Sequence, residues 1–215
     1  MKKLLMGLLL MSLVGCSSTP SDPFITEYEA LNGTTTESGM TYLDLDIPED
    51  HRFVMSDEES ILDIFNGGNG VIYFGFPECP WCRSALMVMQ EAAKDVSLGK
   101  IHYLNVLDIR NELSLDDDGN VVVDKQGSDF YNQVLEYLGE HAPLYPGLEE
   151  TGERRILVPL VVSVVEGEIT FSHSGTVETH TNPFEPMDDV SREALLNIYK
   201  EGFLTVTSCS IEVAC

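Results

Sequence analysis

The sequence predicts an α/β domain, a mixed central sheet flanked by helices, with an N-terminal extension and an inserted hairpin. Three observations carry that expectation. Val71 to Phe76 is a nearly continuous apolar run, as in a strand buried on both faces, and it leads directly into Cys79-Pro80-Trp81-Cys82 and a helical pattern through Ala85, Met89, Ala92 and Val96. Strand-like and helix-like periodicities then alternate, which implies crossover connections within one sheet. The chain closes on two apolar runs, Ile156 to Val165 and Glu168 to Phe171, turning at Glu166-Gly167.

Residues 1–15 stand outside the fold. Two lysines precede the apolar stretch Leu4 to Val14, which is too short to span a bilayer and reads as a secretory signal peptide. The stretch ends Leu13-Val14-Gly15-Cys16, which resembles the lipobox of bacterial lipoproteins. That resemblance implies a lipid on Cys16, with cleavage just before it, whereas the alternative is an ordinary signal peptide with an incidental Cys. Residues 16–39 open with Ser17-Ser18-Thr19-Pro20-Ser21-Asp22-Pro23 and read as a lipid-anchored tether with no strong periodicity.

The domain is expected over 40–208. Met40 to Ile47 alternates Leu43, Leu45 and Ile47 with Asp44 and Asp46, the period of a half-buried strand ended by Pro48. Ser56-Asp57-Glu58-Glu59 reads as a capping box for a short helix that ends at Asn66-Gly67-Gly68. Ile101 to Leu107 is a second strand beyond the Cys-containing helix. Leu113 to Val123 reads as a hairpin turning at Asp118-Gly119, and Ser128 to Leu138 as a helix stopped by Gly139. A last helix is expected from Val190 to Lys200, ended by Gly202, and residues 209–215 form a tail with two cysteines.

Charge excludes one class of partner. The 215 residues hold 12 Lys+Arg against 36 Asp+Glu, a formal −24, and loss of Lys2 and Lys3 with the signal peptide takes this to −26. Such a chain neither neutralises nucleic-acid phosphates nor adheres electrostatically to an anionic membrane. Two or more acyl chains on Cys16 would hold it there instead.

Cys79 and Cys82 carry the chemistry. At a helix start, unpaired backbone N–H groups and the helix dipole stabilise a Cys79 thiolate, and Cys82 lies one turn on, within reach of a mixed disulfide formed at Cys79. Pro80 suits the first helical position because it has no N–H to leave unpaired, and Trp81 is placed to cover the disulfide or meet a substrate. A zinc site would need further ligands, and Cys209 and Cys215 are too widely spaced for a usual half-site. A structural Cys79–Cys82 bridge would close too small a loop to restrain the unfolded chain much. Two buried free thiols would be unusual in an exported chain.

Phe74-Gly75-Phe76-Pro77-Glu78-Cys79-Pro80-Trp81-Cys82, together with Val158-Pro159, Gly167 and Gly175, resembles the thioredoxin superfamily over about residues 56–203. The resemblance implies a thioredoxin-like fold, Cys79 as nucleophile and Cys82 as resolving thiol. It also implies a cis Pro159 packed against the pair, with the Val158 backbone left free to pair with a substrate polypeptide in β fashion. The alternative for Pro159 is a trans proline on an edge strand. Three departures stand out. Tyr73 occupies the place, six residues before the first Cys, of the buried Asp of thioredoxins; Tyr103 replaces the neighbouring strand's Lys; and Pro80-Trp81 is nearer to glutaredoxins, although no glutathione site is evident. The Tyr73-Phe74-Gly75 and Cys-Pro-Trp-Cys region is also similar to thioredoxin-like proteins of Gram-positive bacteria described as bacteriocin transport accessory proteins.

The expected function is that of a lipid-anchored thiol–disulfide oxidoreductase on the extracytoplasmic side of a bacterial cell membrane. It would act without a cofactor on exported polypeptides and exchange electrons with a further redox partner. The competing class is a non-catalytic accessory protein that keeps the fold for binding, for example in peptide export. Cys209 and Cys215 are expected to form a structural disulfide in a C-terminal loop, with a relay pair as the alternative. No metal is expected: Asp116, Asp118 and Gly119 suggest a calcium loop, but its twelfth position would be Lys125 instead of Glu. The five histidines show no ligand spacing, and Met87 and Met89 read as helix packing.

Overall fold

The structure, a computed structural model, describes residues 21–212, with side chains through residue 208. The signal peptide, the lipid attachment at Cys16 and the Cys209–Cys215 disulfide expected from the sequence lie outside the described residues. In chain order the elements are α1 (Pro23–Glu29), β1 (Phe53–Met55), α2 (Glu58–Phe65), β2 (Gly70–Gly75), α3 (Pro80–Asp95) and β3 (Ile101–Asn105). There follow β4 (Glu112–Leu115), β5 (Val121–Lys125), α4 (Asp129–Leu138), β6 (Leu160–Val165), β7 (Glu168–Ser174) and α5 (Asp189–Glu212).

Five strands form a mixed sheet in the order β1-β3-β2-β6-β7, while β4 and β5 pair with each other as the inserted hairpin. This is a mixed α/β fold with a central sheet flanked by helices, consistent with the thioredoxin-like fold. β2 lies at the centre with every residue buried. Its parallel neighbour β3 is reached through α3, as a crossover requires. β6 also follows a helix but pairs with β2 antiparallel, against the simple expectation of parallel pairing. The chain between α4 and β6 is long enough to carry it back along the sheet before β6 begins.

The N-terminal extension is part of the core. Within the segment read as a tether, Asp22 caps α1 by accepting the Phe24 N–H at 2.8 Å, and Phe24 and Tyr28 are fully buried. The missed signal is short: two aromatics four residues apart behind an Asp-Pro start.

Residues 40–47 are extended but form no strand in a sheet. Leu45 and Ile47 are buried as the alternation predicts, yet the backbone finds side-chain partners. Asn32 pairs with both the N–H and the carbonyl of Leu45 at 2.9 and 2.7 Å, the Glu29 carboxylate accepts the Ile47 N–H at 2.8 Å, and the Arg83 guanidinium donates to the Leu43 carbonyl. One edge strand of the sheet is β1, too short at three residues to show a strand period in the sequence.

Two termini also differ from expectation. Asp57, not Ser56, caps α2, accepting the Ser60 N–H at 3.0 Å, while the Ser56 hydroxyl turns to His102 Nδ1 at 2.9 Å. α5 runs through Gly202 instead of stopping there, so Cys209 lies within the helix and not after it. Gly202 serves close approach: a Cβ there would lie 2.4 Å from Phe171 Cδ1 on β7.

Candidate active site

β2 and α3 meet at the two cysteines. Cys79 is the N-cap of α3, with extended backbone, and its sulfur accepts the Cys82 backbone N–H at 3.3 Å. Pro80 occupies the first turn, where its missing N–H costs no helical bond. Both cysteines are free thiols; Cys79 is 7% exposed and Cys82 is fully buried.

Their environments push the two thiols apart. The Cys79 pKa is lowered, chiefly by a hydrogen bond with the Cys82 side chain, and further by the backbone N–H groups of Cys82 and Trp81 and the charge of Arg110, against the upward push of burial. Burial raises Cys82 well above the ordinary thiol range. Its contact with Cys79 adds to that rise, and a hydrogen bond from Tyr73 opposes it. Such an arrangement supplies an attacking thiolate at Cys79 and keeps Cys82 protonated in reserve.

The Val158–Pro159 peptide is cis, and Cys79 Sγ–H points to the Val158 carbonyl oxygen at 3.6 Å. The loop is tied down behind the cysteines, since the Gly175 N–H donates to the Pro159 carbonyl at 2.7 Å and the Ser174 hydroxyl to the Leu157 carbonyl at 2.9 Å. Trp81 is half-buried, its ring edge-on to His180 with centroids 5.7 Å apart. Pro80, Trp81, Val158 and Pro159 thus share one neighbourhood with Cys79.

Several residues at the site were not singled out in the sequence. His180, one of the five histidines without ligand spacing, is buried beside Trp81. Arg110 stacks over the Phe76 ring with 4.7 Å from guanidinium carbon to centroid, which places its charge near Cys79. Arg83, next to Cys82, is almost fully buried and holds the extension onto α3. Only the position of Arg83 directly after the cysteine marked it in advance.

Among the described residues no group of three or more His, Cys, Asp or Glu is placed to hold a metal ion, and Asp116 spends its carboxylate on the Asp118 and Asn120 N–H groups of its own turn. Among the described helices none is long and apolar enough to cross a membrane. In sequence comparisons no protein-family model matches the chain, and no curated protein matches it. The fold and the Cys79–Cys82 site therefore define it only as a mixed α/β protein with a dithiol at a helix start.

Proposed function

We propose that the protein is a thiol–disulfide oxidoreductase of the thioredoxin superfamily, held by a lipid on Cys16 at the extracytoplasmic face of a bacterial cell membrane. The observation that carries the reading is the asymmetry of the pair: a Cys79 sulfur fed by the Cys82 N–H at the start of α3, and a fully buried Cys82 one turn behind.

The Cys79 thiolate attacks a disulfide of an exported polypeptide, forming a mixed disulfide and releasing one substrate sulfur as thiolate. The Cys82 thiolate then attacks Cys79 Sγ, forms the Cys79–Cys82 disulfide and expels the second substrate sulfur. The reverse sequence oxidises a dithiol substrate. The direction follows from the reduction potential of the pair against that of its redox partner. Val158 and Pro159, with Pro80 and Trp81, border the entering polypeptide, and the two cysteines need no cofactor. The acidic surface argues against nucleic acid as a partner.

Reduction of insulin disulfides and capture of partners test the reading. Cys79→Ser abolishes turnover, and Cys82→Ser accumulates mixed disulfides between Cys79 and exported proteins. Insulin reduction unaffected by Cys79→Ser, with no trapped species in Cys82→Ser, would favour the non-catalytic accessory role instead.

A further inference from the structure

Arg110 and Arg155 hold two positive charges next to Cys79. Each is half-buried and laid over an aromatic ring, Arg110 over Phe76 with 4.7 Å from guanidinium carbon to centroid and Arg155 over Tyr145 at 4.8 Å. Among the described residues neither guanidinium has a hydrogen-bond or ion-pair partner, and the Nε of each is buried and unpaired. Neighbouring Arg154 differs, since its Nη1 donates to the carbonyls of Glu140 and Ala142 at 3.2 and 2.6 Å.

Hydrogen bonds bring the two arginines together at the nucleophile. The Phe76 carbonyl, on the residue under Arg110, accepts the Cys79 N–H at 3.2 Å. The Tyr145 hydroxyl, on the ring under Arg155, accepts the Leu113 N–H at 3.0 Å, three residues past Arg110. Both segments are tied to the start of α4: the Ser128 N–H donates to the Ile109 carbonyl at 2.9 Å, and Tyr131 Oη accepts the Ile156 N–H at 3.3 Å. Arg155 precedes Val158 by three residues, a span of at most about 10 Å, and the Val158 carbonyl faces Cys79 Sγ at 3.6 Å. The two charges are close enough to interact: burial, and then the Arg155 charge, lower the Arg110 pKa, with Glu112 opposing them. Like charges held together without a counter-ion, in a chain of 36 Asp+Glu against 12 Lys+Arg, make a place prepared for an anion from outside.

We propose that Arg110 and Arg155 form an anion-binding subsite that takes a substrate carboxylate, that of an Asp or Glu close to the reacting cysteine of an exported polypeptide. This rests on the oxidoreductase reading and adds a substrate preference to it. A polypeptide lying along Val158 with its sulfur at Cys79 carries its next few side chains past Arg155. The guanidinium fork matches a carboxylate with paired N–H donors. The aromatic rings orient each guanidinium before the substrate arrives, so little side-chain freedom is lost on binding. A carboxylate on a small thiol offers the same chemistry, and the experiment separates the two sources.

Two capped peptides, identical but for Glu or Gln next to a cysteine carried as its 2-thiopyridyl disulfide, test the subsite with the reduced full chain. The Cys79 thiolate attacks the cysteine sulfur, forms the Cys79–peptide disulfide and expels pyridine-2-thiolate, which takes a proton from water and is read by absorbance. The Glu peptide is expected to react about tenfold faster than the Gln peptide, a preference that shrinks with added salt. The acidic surface alone would slow the Glu peptide, so the sign of the difference is decisive. Arg155→Gln and Arg110→Gln should each lower the ratio of the two rates. That ratio is insensitive to a change in Cys79 pKa, because both peptides meet the same thiolate. Lys100→Gln, which removes a charge at the far end of β3, should leave the ratio alone. Dithiodipropionate against its diamide, followed by loss of protein thiols, is the small-molecule arm. A preference there without one between the peptides overturns the polypeptide assignment in favour of a small carboxylate thiol. Equal rates within both pairs overturn the subsite and leave the oxidoreductase reading in place; a parent protein that reacts with none of these disulfides overturns that reading and the subsite with it.

Discussion

The Cys82 backbone N–H donates to Cys79 Sγ at 3.3 Å, so the residue that resolves the mixed disulfide also helps to hold the nucleophile as a thiolate. Iodoacetamide at neutral pH should therefore alkylate Cys79 and spare Cys82, whose thiol is fully buried and raised in pKa. The midpoint of Cys79 alkylation against pH is expected below the ordinary thiol value. Cys82→Ala should move it up, because the Cys82 side-chain hydrogen bond is the largest of the lowering influences, and Arg110→Gln should move it up by less. An unshifted midpoint in the parent protein would contradict this.

Arg83 fastens the N-terminal extension. Its guanidinium donates to the carbonyls of Leu43 and Tyr28 and to Asn32 Oδ1 at 2.6 to 2.9 Å, and truncation takes that donor from both carbonyls, while Asn32 Oδ1 keeps the Leu45 N–H. Arg83→Ala should cost about 2–4 kcal/mol in denaturant unfolding and should open residues 21–47 to protease ahead of the rest of the chain. Equal proteolysis in both proteins would argue that the extension is held by its aromatics alone.

Gly202 sits where α5 crosses β7. In an exposed helix, Gly→Ala would stabilise by roughly 1 kcal/mol, but here the added methyl meets the Phe171 ring at 2.4 Å. Gly202→Ala should therefore lower stability, by about 1–3 kcal/mol, as overpacking does. The midpoint of thermal unfolding reads the sign directly, and combining it with Phe171→Leu should recover part of the loss.

His102 links stability to pH. Burial and the nearby Lys100 charge lower its pKa to about 4, and its Nδ1 meets the Ser56 hydroxyl. The unfolded chain binds this proton near pH 6.5 and the folded one only near 4, so the unfolded state holds more protons between those values. Stability is therefore full above about pH 6.5 and falls as the pH drops towards 4, by a total on the order of 3 kcal/mol. His102→Gln should lose less stability than the parent protein between pH 7 and pH 5, measured by urea unfolding.

Much of the architecture was legible because its signals are local. The apolar run through β2, the Ser128 and Gly139 stops of α4 and the Glu166-Gly167 turn each act over a few residues. The same holds for Pro80 behind Cys79, and for Val158-Pro159 ahead of β6. Where local signals served two purposes the reading went astray. Gly202 looks like a helix stop but gives way to Phe171, and the alternation over 40–47 buries Leu45 and Ile47 without entering the sheet.

By itself, then, the sequence determined the order of most elements, the Cys79–Cys82 pair at a helix start and the proline loop that meets it. Tertiary structure alone decided that α1 belongs to the core, that Arg83 binds it to α3, that the Tyr28 hydroxyl meets that of Tyr73, and that the Tyr103 hydroxyl donates to Glu27. The physical reason is separation along the chain: these hydroxyls come from three elements, and no periodicity or spacing encodes a hydrogen bond between residues 28 and 73.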